Sequence, residues 1–193
     1  MNCGFERDDF RYTAYFCEEN IWWLAHDLVA RGISPTDMQV LLLTNDAQSI
    51  AYLNQRSAPA GAMMLWDYHV VLQATVDGDP RILDFDTRLS FCTLADEYLA
   101  RSLPVQSELP GELRARARII PAASYLKHFY SDRSHMRGLL PESRFPSYPI
   151  IQPADGNRPV DLAEYRDLEQ DTGDDSRVVE ASHSTSAIPA GPV

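Results

Sequence analysis

A thiol, an imidazole and a carboxylate can together make a nucleophile, and this chain carries all three in informative settings. Cys17 stands in Tyr15-Phe16-Cys17-Glu18-Glu19-Asn20, and His69 in Trp66-Asp67-Tyr68-His69-Val70. Asp84 and Asp86 stand in Ile82-Leu83-Asp84-Phe85-Asp86-Thr87. A cysteine activated by a base that an acid orients is the arrangement of covalent acyl chemistry. Each residue alone has an ordinary structural explanation. A lone cysteine is commonly a small buried hydrophobe, and a histidine in an apolar strand is commonly a satisfied core group. The chemistry therefore depends on the elements that would bring the three together.

From Glu18 the pattern is helical. Ile21, Leu24, Ala25, Leu28 and Val29 form one apolar stripe, Gly32 supplies a C-cap, and Pro35 prevents resumption. Cys17 thus falls at or just before the N-terminus of a helix. There the unpaired N–H groups and the dipole favour thiolate. The dipole supplies about 0.3–1 kcal/mol, less than one pKa unit, so an imidazolium would have to do most of the activation. Residues 38–44 read as a buried strand, and residues 64–76 as a longer one that carries His69. A turn at Asp77-Gly78-Asp79-Pro80 folds residues 81–85 back onto it. That pairing puts residue 69 opposite a position between 84 and 88, depending on register. Asp84 and Asp86 share a face by the period of two, and spacing does not choose between them.

Further along, residues 94–103 and 124–129 read as helices, 114–120 as a strand, 141–153 as a proline-rich surface segment, and 162–168 as a last weak helix. Residues 1–170 are expected to form a single catalytic domain. Residues 171–193, poor in apolar side chains, are expected to be a disordered tail.

Composition sets outer limits. The chain has 193 residues, 45% of them hydrophobic, enough for one domain with a substantial core. A formal net charge of -11 argues against nucleic acid as a partner. No apolar run approaches the roughly 18 residues of a membrane span, so no membrane partner is expected. The three cysteines, Cys3, Cys17 and Cys92, show no CxxC spacing. They make neither a disulfide framework nor a zinc site, and Cys3 and Cys92 are expected to be structural and without evident partners. A reducing, cytoplasmic setting fits, because residues 1–11 hold no apolar core of a signal peptide. Export to act on another cell's proteins is the alternative. Zinc is the competing use of Cys, His and Asp, but no pairwise ligand spacing is visible, and no metal or cofactor is expected.

Taken in order, the segment from Tyr15 to Trp22, the WDYHV pentapeptide at 66–70, Asp84-Phe85-Asp86-Thr87, Ser124-Tyr125-Leu126-Lys127 and residues 131–136 resemble the protein N-terminal glutamine amidohydrolase family, the WDYHV-motif proteins. The resemblance runs from about Tyr12 to about Pro153. It implies an α/β (α+β) fold similar to papain-like and transglutaminase-like cysteine hydrolases, with an antiparallel sheet packed against a helix that bears the nucleophile at its N-terminus. It implies Cys17 as nucleophile, His69 as base and Asp84 as the orienting acid. The activity implied is deamidation of an N-terminal glutamine to glutamate with release of ammonia, by way of a thioester. Partners would be proteins or peptides with a free N-terminal glutamine, and the enzyme is expected to be a monomer.

An enzyme of that kind must read a free α-ammonium. Glu18, Glu19 and Asp67 are the carboxylates nearest the three residues in sequence. Trp66, Ser131 and Asp132 complete the substrate-binding candidates, the last two in a polar loop that would line the site. Two other readings compete: a papain-like protease or transglutaminase using the same residues, and a non-enzymatic module that captures N-termini.

Overall fold

The computed structural model describes residues 3–181. In chain order the regular elements are α1 (Cys17–Ala30), β1 (Met38–Thr44), β2 (Ile50–Tyr52), β3 (Met64–Trp66), β4 (His69–Val76), β5 (Asp79–Leu83), β6 (Cys92–Leu94), α2 (Ala95–Ser102), β7 (Arg116–Pro121), α3 (Ala122–His128), β8 (Phe129–Tyr130), β9 (Val160–Asp161), α4 (Leu162–Arg166) and β10 (Arg177–Glu180). Six strands form one sheet in the order β10-β7-β1-β4-β5-β6, with every neighbouring pair antiparallel. The expected mixed fold, an antiparallel sheet against helices, is the fold observed.

The period of two explains how one sheet serves two cores. Val40, Leu42, Val70 and Leu72 pack on one face with Ile21, Leu24 and Leu28 of α1. Leu41, Leu43, Val71 and Ile119 pack on the other with Tyr98 and Leu99 of α2. Strands covered on both faces need apolar side chains at every position, which is why β1 reads as a continuous buried run. Each fully buried Leu, Ile or Val contributes about 1.5–3 kcal/mol.

Helix α1 ends as its sequence requires. Gly32 has φ +94°, and the N–H groups of Gly32 and Ile33 return to Val29 O and Leu28 O. Val29 is the exception to the apolar stripe, being exposed. At the other end, Glu18, Glu19 and Asn20 are all buried, although polar. Each is held by a specific partner. Asn20 grips both backbone groups of Thr13 at 2.8 Å. Glu19 receives Arg133 on both oxygens, at 2.8 and 2.9 Å, and the Ser131 hydroxyl at 2.6 Å. The same guanidinium donates to the carbonyls of Pro146, Tyr148 and Pro149. One arginine therefore ties the proline-rich segment to the first turn of α1.

Three expectations need correcting. The long strand over 64–76 is two strands, with a break at Asp67-Tyr68. There the Asp67 carbonyl accepts from Thr44 Oγ1, and β3 leaves the main sheet to pair with β2. Cys3 and Cys92 are joined in a disulfide, with Cα atoms 6.4 Å apart. Packing of Phe5, Phe10 and Phe91 brings these distant positions together, which spacing could not reveal. The first part of the expected tail belongs to the fold. Thr172 and Asp174 are buried, and β10 pairs with β7. Asp174 accepts from Tyr165 and Thr172, so polar side chains anchor a segment poor in apolar ones. Residues 182–193 of that tail lie outside the described residues. Among the described residues, no helix is long and apolar enough to cross a membrane.

The Glu19–Arg133 pair yields a stability prediction. Removing the cation leaves a buried, uncompensated carboxylate, which costs roughly 3–5 kcal/mol. Arg133→Met is expected to lower the urea unfolding free energy by about that amount. Adding Glu19→Gln to the same protein should recover part of the loss.

Candidate active site

One cleft of about 330 Å³ collects the residues of chemical interest. Its wall includes Cys17, Trp66, Asp67, His69, Asp86 and His135. That volume suits a single side chain with its flanking backbone. Cys17 is the first residue of α1 and is partly exposed at this wall. Tyr15, two residues earlier, has φ +74°, so the chain enters the helix through a conformation that side chains rarely adopt. Phe16 occupies the N-cap position and provides no side-chain cap. The first N–H groups of the helix are therefore left without that partner.

His69 is the first residue of β4, and it pairs with Leu43 of β1. Its ring is held on two sides: Trp66 stacks on it at 5.9 Å between centroids, and Tyr52 meets it edge-on at 5.2 Å. Nε2 lies 3.0 Å from Asp84 Oδ1. A carboxylate only accepts, so Nε2 carries the proton and Nδ1 is left with the lone pair. The backbone N–H of Val70, the residue after His69, faces the Cys17 sulfur and favours its charged form. Cys17 and His69 both line the cleft.

Register alone would have chosen the wrong aspartate. The β4–β5 pairing, carried on, sets residue 69 opposite residue 86. The ladder stops at Leu83, however, and the Asp84 N–H bonds instead to Phe91 O. The chain then turns, and the Asp86 N–H closes onto Asp84 Oδ1 at 2.8 Å. Tyr98 of α2 donates to Asp84 Oδ2 at 2.8 Å. Asp84 is buried and accepts from three donors. Burial by itself would raise its pKa, but His69, the Asp86 N–H and Tyr98 outweigh this, and the carboxyl is held below its usual range. For His69 burial pulls downward, and the Asp84 charge and hydrogen bond overcome it, so the imidazole is raised above 6.5.

The thiol departs from expectation. Burial pushes Cys17 well above the ordinary thiol value, and the carboxylates of Glu18 and Asp86 push it further. A helix N-terminus favours thiolate, but here that influence is outweighed. These influences favour the neutral thiol over the thiolate. Glu18 Oε2 lies 3.7 Å from the sulfur and also accepts from Tyr68 at 3.0 Å. His135 Nε2 is 3.3 Å from the other oxygen of Glu18.

The substrate-binding candidates divide. Trp66 and Asp67 border the cleft. Glu18 and Glu19 are buried behind it and occupied by Tyr68, His135, Ser131 and Arg133. Ser131 is spent on Glu19, and Asp132 caps the N–H of Ser134. Neither borders the cleft. Trp22 and Trp23 pack on each other at 4.8 Å, with Tyr148 against Trp23, away from it. The contact of Tyr98 with Asp84 had no signal in the sequence, whereas His135 reaches the cleft from the polar loop expected to line the site.

His69, Asp84 and Asp86 place one ligand-type atom each within 4.8 Å of one another, a cluster that could hold a metal ion. Both oxygens of Asp84 are already used by His69, Tyr98 and the Asp86 N–H, so hydrogen bonding accounts for the cluster as it stands.

Comparison with known proteins gives the family. The family model of the N-terminal glutamine amidase matches residues 12–187, well past Pro153, where the visible resemblance ends. The human protein N-terminal glutamine amidohydrolase is 35% identical over 153 residues, which cover 77% of this chain and 75% of that protein. The Bos taurus protein of the same name is 32% identical over 171 residues, covering 86% and 82%. The Arabidopsis thaliana one is 31% identical over 135 residues, covering 66% and 61%. With a match that spans most of its length, the chain belongs to the N-terminal glutamine amidase family.

Proposed function

We propose that this protein hydrolyses the side-chain amide of an N-terminal glutamine, leaving glutamate and releasing ammonia, with Cys17, His69 and Asp84 as its catalytic residues. The observation that carries the reading is the buried His69–Asp84 pair opening onto the same cleft as Cys17. Relatives named for this activity give the substrate class.

The order of events follows from the charges. Cys17 starts as a thiol, so His69 Nδ1 takes its proton as the sulfur attacks the amide carbon. The imidazolium that forms lies against the Asp84 carboxylate, which stabilises it and keeps Nε2 protonated throughout. The oxyanion faces the uncapped N–H groups at the start of α1; each such donor typically lowers a barrier by about 2.7–4 kcal/mol. His69 then gives its proton to the leaving ammonia, and a thioester remains on Cys17. Next it takes a proton from water, and the hydroxide formed attacks that thioester, which releases glutamate and restores the thiol.

Incubation with a Gln-initiated peptide should release ammonia without cleaving the chain. Cys17→Ala should reduce this to background. Internal peptide-bond cleavage or amine incorporation would point instead to a protease or transglutaminase.

The pH profile carries a sign. His69 must be neutral to accept the proton, and its pKa is raised above 6.5. Activity is lost as pH falls through that value, so the acid limb of kcat/KM should have its midpoint above 6.5. Asp84→Asn removes the charge that raises it, so the limb should move to lower pH while kcat falls by roughly 10²–10⁴-fold. The kcat loss in Asp86→Asn should be much smaller; a larger loss there would reassign the acid.

A further inference from the structure

An enzyme that acts only on a chain terminus needs a group that recognises the α-ammonium. Two carboxylates border the cleft, Asp67 and Asp86. Asp67 has an exposed side chain, and its carboxylate is 3.3 Å from the Arg166 guanidinium and caps the Tyr68 N–H. A cation already occupies it. Asp86 is held differently. Its Oδ1 accepts from the Tyr12 phenol at 2.5 Å, and that donor is neutral; the positive groups acting on it, His69 and Arg56, do so through space. The two nearby guanidiniums are spent on backbone: Arg56 donates to Phe85 O and Arg7 to Thr87 O.

Position supports the same residue. Asp86 lies close enough to Cys17 and His69 for its charge to raise the pKa of both. In an extended glutamine the α-nitrogen is about 5 Å from the amide carbon. A reader of that nitrogen must therefore sit beside the nucleophile, not at the outer rim.

On the reading of the preceding subsection, we propose that Asp86 is the specificity residue that binds the substrate's α-ammonium, with Tyr12 fixing the carboxylate. Its own pKa is raised, first by burial and also by Asp84, so a bound ammonium relieves an unfavourable charge. An acetylated or internal glutamine brings no cation and leaves the carboxylate facing a neutral amide. Asp86 thus has two separate duties. Its backbone N–H orients Asp84, and its side chain selects the substrate.

Because the backbone duty survives substitution, the side-chain duty can be tested alone. The probes are a Gln-initiated peptide and the same peptide with 4-carbamoylbutanoyl in place of glutamine, which lacks only the amine. Wild type should favour the amine-bearing probe by roughly 10- to 150-fold. Asp86→Asn should lose that preference, chiefly through KM for the Gln peptide, so that the two probes converge. Asp86→Glu, with its charge on a longer arm, should fall between the two, and it serves if Asp86→Asn does not fold. An equal loss on both probes, or an unchanged preference, would overturn the assignment. Should wild type release no ammonia at all, the proposed reaction fails rather than this inference. Dissociation constants of both probes for Cys17→Ala, with and without Asp86→Asn, then test recognition by itself, and equal constants with and without the substitution would overturn it.

Discussion

The Asp84 carboxylate is the constraint on which the rest of the site depends. It is buried, yet it stays charged because a histidine, a tyrosine and a backbone N–H all donate to it. These donors come from β4, from α2 and from its own turn. Strand, helix and turn must all be in place before the carboxylate is satisfied. An isolated buried charge would cost several kcal/mol, so the fold and the state of this group are coupled. The benefit goes to His69. Buried as it is, the ring would otherwise lose its proton affinity, and the Asp84 charge restores it.

The same reasoning explains the thiol. Many activated cysteines are thiolates at rest. Here burial and two carboxylates favour the neutral form. On the proposed mechanism the nucleophile is made at the moment of attack, by a base whose strength Asp84 sets. Acidic groups around a cysteine look unhelpful if a standing thiolate is assumed. On the proposed reading they fit a site that also attracts an ammonium, since the charge that raises the thiol pKa is the charge a substrate N-terminus would neutralise.

Much of this was legible before any coordinates. The apolar stripe and Gly32 fixed α1 and so placed Cys17 at its start. The turn at 77–80 gave the hairpin that carries His69 and the aspartates. What escaped depended on contacts between distant segments. The break at Asp67-Tyr68 arises because β3 finds a partner in β2, and an apolar run gives no sign of changing sheets. The burial of Glu18 and Glu19 had no sign in the sequence because their partners lie more than a hundred residues away in one case and fifty in the other. The choice of Asp84 turned on where a ladder stops, which hydrophobic pattern does not specify. Cys3 and Cys92 met through aromatic packing of the N-terminal segment, with no local signature.

The central claim is that an Asp84-anchored imidazole, and not a standing thiolate, supplies the nucleophile. The rate of Cys17 alkylation by iodoacetamide as a function of pH, followed by intact mass in the free protein, tests this most directly. A neutral thiol predicts a rate that climbs with pH and is still rising past the ordinary thiol pKa of about 8.5. A rate that stays level from neutral pH down to about 5 would reveal a preformed thiolate–imidazolium pair and contradict the account.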